Sequence, residues 1–339
     1  MFRRAASAAF RLALTIGRIA EFIRGFLRFR RNYIIRRWTG ARSLTDARRI
    51  AIFVHYDRRG RVHDYVIHYL NALVKAGFEI VFVSNSPRAF RESLPTIRPL
   101  CGLVLQRKNI GYDFGAYKDG MLAIPDLARL DELIFANDSA YGPFSDLAPL
   151  LARCDDSAAI WGITDSWDSR YHLQSYFLLF KKEALTNPRM LRFWCKLRYF
   201  QSKRLIIRKY EVGLSQEAMR SGLRCSALFP QRRVAEAVSS AVLNNKLLKS
   251  EALSEQHRAY LLRMFDAVNH GSPLNITHFF WDYLIADLGC PFLKRELLAF
   301  NPMGVPFLHQ WQNVIERTTD YDTDLIARHL EATIRDRAI

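Results

Sequence analysis

The apolar run Leu133-Ile-Phe-Ala136 stops abruptly at Asn137-Asp138-Ser139, and Tyr141-Gly142-Pro143 then turns the chain. Such a run reads as a buried strand. Its end delivers one carboxylate and two small polar side chains to the edge of a sheet. In open α/β sheets, ligands bind outside the carboxyl ends of the strands. An acid there suits a divalent metal on a diphosphate, or the ribose of a nucleotide. The same three residue types also favour turns, so an Asx-type turn capping the next helix is the plainer alternative.

The rest of the body repeats this punctuation. Strands are expected at 50–56, 78–84, 103–105, 132–136 and 158–163, and helices at 62–76, 117–124 and 144–151. Gly77 stops the first of those helices. Strands separated by helices predict βαβ crossovers, hence an α/β fold with a mainly parallel central sheet flanked by helices. After residue 170 the period changes. Helices are expected at 193–207, 216–221, 234–248 and 255–268, with a strand at 225–229. The C-terminal third reads as helix and loop, with aromatics such as Trp281 set among polar residues. Three parts follow: an arm over 1–45, an α/β core over 46–235 and a helical part over 236–339.

The chain is basic, and unevenly so. Residues 1–42 hold eleven arginines against one acid, Glu21, a net +10 out of +17, which leaves +7 for the rest. Arg4, Arg11 and Arg18 share one helical face, and Arg24, Arg28 and Arg31 share another. A basic amphipathic helix of this kind suits an anionic membrane surface. A transit peptide, a nucleic-acid arm and a helix packed on the body are the alternatives. Arginines interrupt every apolar stretch that a secretory signal would need. No run approaches the roughly 18 uncharged apolar residues of a membrane-spanning helix. Five scattered cysteines, none in a C-x-x-C pair, fit neither a disulfide framework nor a zinc site and point to a reducing compartment. The body's modest charge and lack of a recognisable binding motif argue against nucleic acid as a partner. The first strand–helix joint, His55 to Arg61, carries neither G-x-G-x-x-G nor a P-loop, which argues against a Rossmann dehydrogenase and a P-loop NTPase.

Three further constellations could carry chemistry. In Asn109-Ile-Gly-Tyr-Asp-Phe-Gly-Ala-Tyr117, Gly111 and Gly115 permit close backbone approach, and Asp113 among tyrosines suits a base and ribose. A helix N-cap by Asp113 is the alternative. Trp161-Gly-Ile-Thr-Asp165 ends a strand, and His172, Gln174 and Tyr176 would alternate onto one face, lining a cleft or an inter-strand hydrogen-bond network. Glu211 precedes a helix expected to be capped by Ser215. It could take a proton from an acceptor hydroxyl, or simply favour a helix N-terminus.

In order and spacing these segments resemble the rhamnan synthesis protein F family of bacterial polysaccharide glycosyltransferases. The matching stretches are 109–117, 137–143, 161–165, 172–176 and 211–215, with Trp281-Asp-Tyr-Leu-Ile285, Pro291 to Leu298 and Asn301-Pro302 late in the chain. More distantly the chain resembles inverting glycosyltransferases of the A-type fold. The resemblance implies transfer of a sugar, often L-rhamnose from a dTDP donor, onto a lipid-linked or growing surface polysaccharide at the inner face of the cytoplasmic membrane. It implies donor binding by Asn109, Gly111, Asp113, Tyr117, Asn137, Asp138 and Ser139, and a base in Glu211. Asp165, His172, Gln174 and Trp281 would meet acceptor or sugar. Asp138 would hold Mg²⁺ or Mn²⁺, although the family group's Asp-x-Asp is here Asn137-Asp138-Ser139, with one acid. Arg107 or Lys108 would add positive charge at the diphosphate. A non-catalytic glycan-binding subunit of polysaccharide assembly is the alternative.

Overall fold

The computed structural model describes residues 33–88, 90–243 and 255–337, with helical positions 17, 20, 21, 23–25 and 27 ahead of them. Most of the expected basic arm, and residues 244–248 of the expected 234–248 helix, lie outside the described residues.

The strands are β1 (Ile34–Thr39), β2 (Arg49–His55), β3 (Glu79–Ser84), β4 (Leu103–Arg107), β5 (Glu132–Asn137), β6 (Ala140–Tyr141), β7 (Ile160–Ser166), β8 (His172–Leu173), β9 (Phe177–Lys181), β10 (Cys225–Phe229) and β11 (Leu293–Lys294). The helices that matter here are α1 (Asp64–Lys75), α2 (Tyr112–Met121), α3 (Leu147–Ala152), α4 (Pro188–Lys196), α5 (Val212–Arg220), α6 (Gln231–Leu243), α7 (Glu255–Asn269), α8 (Trp281–Ala286), α9 (Arg295–Phe300) and α10 (Asp324–Arg337). A nine-stranded sheet runs β1-β4-β3-β2-β5-β9-β7-β10, with β8 beside β7. Neighbours β4, β3, β2 and β5 are parallel, as are β7 and β10. β9 is inserted antiparallel between β5 and β7. The α/β class and the mainly parallel, helix-flanked sheet are as expected, with a helical C-terminal part.

Alternation along the strands builds two cores. In β2, Ala51 and Phe53 enter one layer, while Ile50, Ile52 and Val54 enter the other; β3 and β5 divide in the same way. Helix α1 covers the first layer with Tyr65, Val66, Tyr69, Leu70 and Leu73. The C-terminal part packs on that same layer through Leu284, Phe292, Leu297 and Ile326. Helix α2 covers the second layer with Phe114, Ala116, Tyr117 and Met121. Burial on both faces explains why these strands read as continuous apolar runs.

Four local expectations are corrected. Ile34–Thr39, assigned to the arm, pairs antiparallel with β4 as an edge strand. Its exposed Arg36 and Arg37 are the charges an edge tolerates. Helix α2 begins at Tyr112 rather than 117, because Gly111 enters it at φ +89 with no side-chain cap, which leaves Asp113 in the first turn. The helix expected over 193–207 is broken. Asn187 caps α4 ahead of Pro188, and Ser202 starts a separate turn at Lys203–Ile206. Helix α5 begins at Val212, so Ser215 lies inside it and does not cap it; its Oγ accepts the Leu173 N–H at 3.0 Å. Among the described residues no helix is long and apolar enough to cross a membrane.

Arg107 does not face a ligand. It is fully buried. Its Nε donates to Asp119 Oδ2 at 2.7 Å, Nη1 to Asn85 Oδ1 at 2.5 Å and Nη2 to the Ile110 carbonyl at 2.7 Å. The Tyr199 hydroxyl donates to the other Asp119 oxygen. The guanidinium thus ties the ends of β3 and β4 to α2, while Lys108 stands exposed beside it. Removing one partner leaves a buried charge uncompensated, so Arg107→Met should cost about 3–5 kcal/mol. Lys108→Ala should stay within about 0.5 kcal/mol of the parent. Urea unfolding of the two variants checks the contrast, and similar midpoints would contradict it.

Candidate active site at the carboxyl edge of the sheet

Strand β5 ends at Asn137, and the chain then folds tightly. Asn137 Oδ1 accepts the Ser139 N–H at 3.0 Å and the Ser139 hydroxyl at 2.5 Å. The Asx turn weighed for this segment is therefore present, but a strand, β6, follows it rather than a helix. The Asn137 amide is free for another task. Its Nδ2 donates to Asp113 Oδ2 at 3.2 Å and to the Tyr117 hydroxyl at 3.1 Å. Tyr117 passes its own proton to the Ser175 carbonyl at 3.1 Å. The Ser175 N–H and hydroxyl both donate to Glu211 Oε1, each at 3.0 Å. One unbroken chain of hydrogen bonds thus links Asp113, at the start of α2, to Glu211. Glu211 itself ends a wide π turn, Ile207–Glu211, that feeds α5; such turns often sit at functional sites.

Asp138 lies next to this chain and is buried. Its Oδ2 accepts the Tyr56 N–H at 3.0 Å and Arg295 Nη1 at 3.2 Å. The same Arg295 nitrogen donates to the Tyr65 hydroxyl at 2.8 Å. Arg295 reaches this place through a short clasp. Strand β11 pairs antiparallel with β6, Lys294 opposite Ala140, and the Arg295 N–H donates to the Ser139 carbonyl at 2.9 Å. Gly142 makes the approach possible. It adopts φ +119, and a Cβ there would stand 2.2 Å from the Pro291 carbonyl oxygen.

Three carboxylates converge on this edge. Burial pushes the Asp113 carboxyl up to about 6, and the charges of Asp138 and Glu211 add to the effect. Lys294 and Arg295 pull the other way. These mutual effects place Asp113, Asp138, Glu211, Lys294 and Arg295 around one site. In the sequence, Lys294 and Arg295 carry no expected role beyond their place in the resembling segment Pro291 to Leu298.

The other expected residues are placed differently. Gly111 forms the left-handed entry to α2, and Asn109 is exposed. Asp165 Oδ1 accepts the Gln231 N–H at 2.6 Å and so serves the start of α6. His172 Nδ1 lies 2.8 Å from the Arg170 carbonyl. Gln174 accepts from Thr164 at 2.6 Å and donates to Asn275 at 3.3 Å, while the Tyr176 hydroxyl meets the same Thr164 at 3.0 Å. This is the inter-strand network rather than an open cleft wall. Trp281 is 4% exposed and packs in the core, so it offers no face to a sugar.

A cavity of about 810 Å³ opens at the opposite edge of the sheet, where β2 and β5 begin. Its walls include Glu132, which accepts from Arg49 and from Lys181 at 2.7 Å each. Size alone would favour it, but its central charges pair through Glu132 and it lies away from the strands' carboxyl ends. The carboxyl edge is therefore the candidate site.

The donor set does not fit a metal held by the protein alone. Among the described residues no three His, Cys, Asp or Glu side chains group so as to hold an ion. One oxygen of Asp138 is already committed to a guanidinium and a backbone amide.

Residues 80–253 match the rhamnan synthesis protein F family. The chain is 29% identical over 283 residues to virulence protein VirA of Vibrio anguillarum, covering 82% of this chain and 88% of VirA. It is 29% identical over 214 residues to protein y4gN of Sinorhizobium fredii, covering 60% of this chain and 55% of y4gN. The solved glycosyltransferase GlyE of Streptococcus pneumoniae aligns with TM-score 0.35 and 13% identity, over 83% of this chain and 63% of GlyE.

The raised Asp113 fixes a pH dependence of stability. A group whose folded pKa lies above its unfolded value contributes stability that is fully present below the unfolded value, here near 3.8, and is lost as pH rises through about 6. Asp113→Asn cannot ionise. Its melting temperature should rise relative to the parent between about pH 4 and pH 7. A difference that stays flat across that window would show that Asp113 ionises as freely as an exposed acid.

Proposed function

The chain belongs to the rhamnan synthesis protein F family and has a helix-flanked α/β sheet, and from that premise we propose that it transfers a sugar, L-rhamnose from dTDP-rhamnose, onto a lipid-linked or growing surface polysaccharide with inversion at the anomeric carbon. The observation that carries this reading is the hydrogen-bonded chain from Asp113 through Asn137, Tyr117 and Ser175 to Glu211, with Asp138 beside it. It joins a candidate nucleoside grip to a candidate base along one edge of the sheet.

Glu211 has one carboxylate oxygen fixed by Ser175, which aims the group. In the reaction it takes the proton of the acceptor hydroxyl as that oxygen attacks the anomeric carbon. The bond from this carbon to the donor diphosphate breaks on the opposite face. Its electron pair leaves with the nucleoside diphosphate. Asp113 and Asn137 orient the nucleoside, and Asp138 holds Arg295 in position. A non-catalytic glycan-binding subunit, the alternative, would call for exposed C-terminal aromatics on which a sugar could stack, and Trp281 is buried.

Glu211→Gln keeps an oxygen for Ser175 and loses the base. Turnover should fall about 10²–10⁴-fold, while the Kd for dTDP changes by less than about threefold, a difference too small to reflect a lost contact. Unchanged turnover would remove Glu211 from the role.

The enzyme works at the anionic inner face of the cytoplasmic membrane, where its acceptor resides. Two features of the described N-terminal helical positions support this. Glu21 Oε1 accepts the Gln201 N–H at 2.5 Å, and a Cβ on buried Gly25 would stand 2.5 Å from the Phe200 ring, so this side rests on the body. Ile23 and Leu27 remain 54% and 70% exposed, with Arg24 also outward. Replacing both Ile23 and Leu27 by Asp should sharply reduce co-sedimentation with phosphatidylglycerol vesicles. Undiminished binding would detach this stretch from the membrane.

A further inference from the structure

We propose that Lys294, carried into the site on β11, is the cationic seat for the donor's diphosphate, so that donor binding and departure of the nucleoside diphosphate rely on a protein ammonium and not on a metal ion. The inference rests on the transferase reading and deepens it.

The first ground is an unpartnered charge. The Lys294 ammonium makes no hydrogen bond or ion pair with any described residue. It lies 4.1 Å from the ring centre of Tyr176, which is itself buried. A cation over an aromatic face is stabilised only modestly. Holding a partly buried cation without an anion against it is costly. An anionic ligand would supply what the protein withholds.

The second ground is position. Lys294 pairs with Ala140, three residues beyond the end of β5, and its neighbour Arg295 grips Asp138. Its electrostatic neighbours include Glu211 and Asp113. Lys294 therefore lies near both the candidate base and the candidate nucleoside grip, as a cation must that is to meet the diphosphate joining the two halves of a donor. Burial also lowers its pKa, so a bound anion would favour its charged form.

The third ground is the commitment of the alternatives. Arg107 is consumed by Asp119, Asn85 and Ile110. Arg295 is shared between Asp138 and Tyr65. A metal on Asp138 would have to sit against that guanidinium. During transfer the anomeric carbon–oxygen bond breaks and its electron pair moves onto the terminal diphosphate oxygen. The Lys294 ammonium stabilises that charge, and the acceptor's proton ends on Glu211. No electron is gained or lost overall.

Calorimetric titration of the full chain with dTDP and with UDP tests this, in excess EDTA and then in Mn²⁺. At least one nucleotide should bind in EDTA with a Kd within about threefold of that in Mn²⁺. Lys294→Gln should weaken binding in EDTA roughly ten- to a hundredfold, and Lys294→Arg should recover most of it. Binding that requires Mn²⁺ would overturn this proposal and leave the transferase reading standing. Parent-like binding by Lys294→Gln would also overturn it. Failure of both nucleotides under both conditions would overturn the proposal and the transferase reading together. The EDTA comparison on the parent chain decides the matter even if Lys294→Gln fails to fold.

Discussion

A pairing of two residues with two others organises the functional edge. Strands β6 and β11 form a sheet of just two strands, yet they bring Lys294 and Arg295 to a site otherwise built before residue 215. The Arg295–Asp138 contact joins groups 157 positions apart in sequence. The clasp depends on the left-handed Gly142, which leaves room for the Pro291 carbonyl. The Phe144 N–H then donates to that carbonyl at 3.0 Å. Behind the clasp, Phe292 and Leu293 enter the same core layer as α1. Apolar burial thus holds the hairpin in register, and the register points the charges.

Electrostatics give this edge a character that stability alone would not select. Burial first, and then the charges of Asp138 and Glu211, raise the pKa of Asp113. Such an arrangement persists when surrounding structure over-determines it. Here that structure is the fully satisfied lattice around Arg107, together with Asn137, whose one amide serves two acceptors. The electrostatic cost sits on Asp113 at the strand edge, while Arg107 behind it is fully paired.

Much of the fold was legible because burial leaves a mark that needs no partner to be read. β2, β3 and β5 are unbroken apolar runs, and β10 stands where the pattern put it, at Cys225–Phe229. Helix starts were harder. Ser215 looks like a cap, but a π turn carries the helix past it, and its hydroxyl serves Leu173 instead. Arg36 and Arg37 looked like more of a basic tail because an edge strand's charges resemble a solvated arm. At the site, Asn137 is an amide where an apolar strand stops, Asp113 and Tyr117 lie in a segment marked by two glycines, and Glu211 precedes a helical run. Trp281 carried the opposite: an aromatic among polar residues says nothing about which way it faces, and here it faces the core.

Lys294 and Arg295 show why the remainder could not be read. Nothing in their immediate neighbourhood distinguishes them from any other basic pair at the start of a short helix. Their meaning arises from a contact with a distant strand end, and that contact depends on a turn at Gly142 whose geometry no periodicity encodes. The division of labour follows physically. The α/β core can place acids and amides at its own strand ends, because each strand delivers its last residue to the same edge. It cannot readily place a cation opposite them, since the facing side must come from elsewhere in the chain. The C-terminal part supplies that side. Its apolar residues anchor it on the α1 layer, and Arg295 reaches across to Asp138 at 3.2 Å with Lys294 beside it.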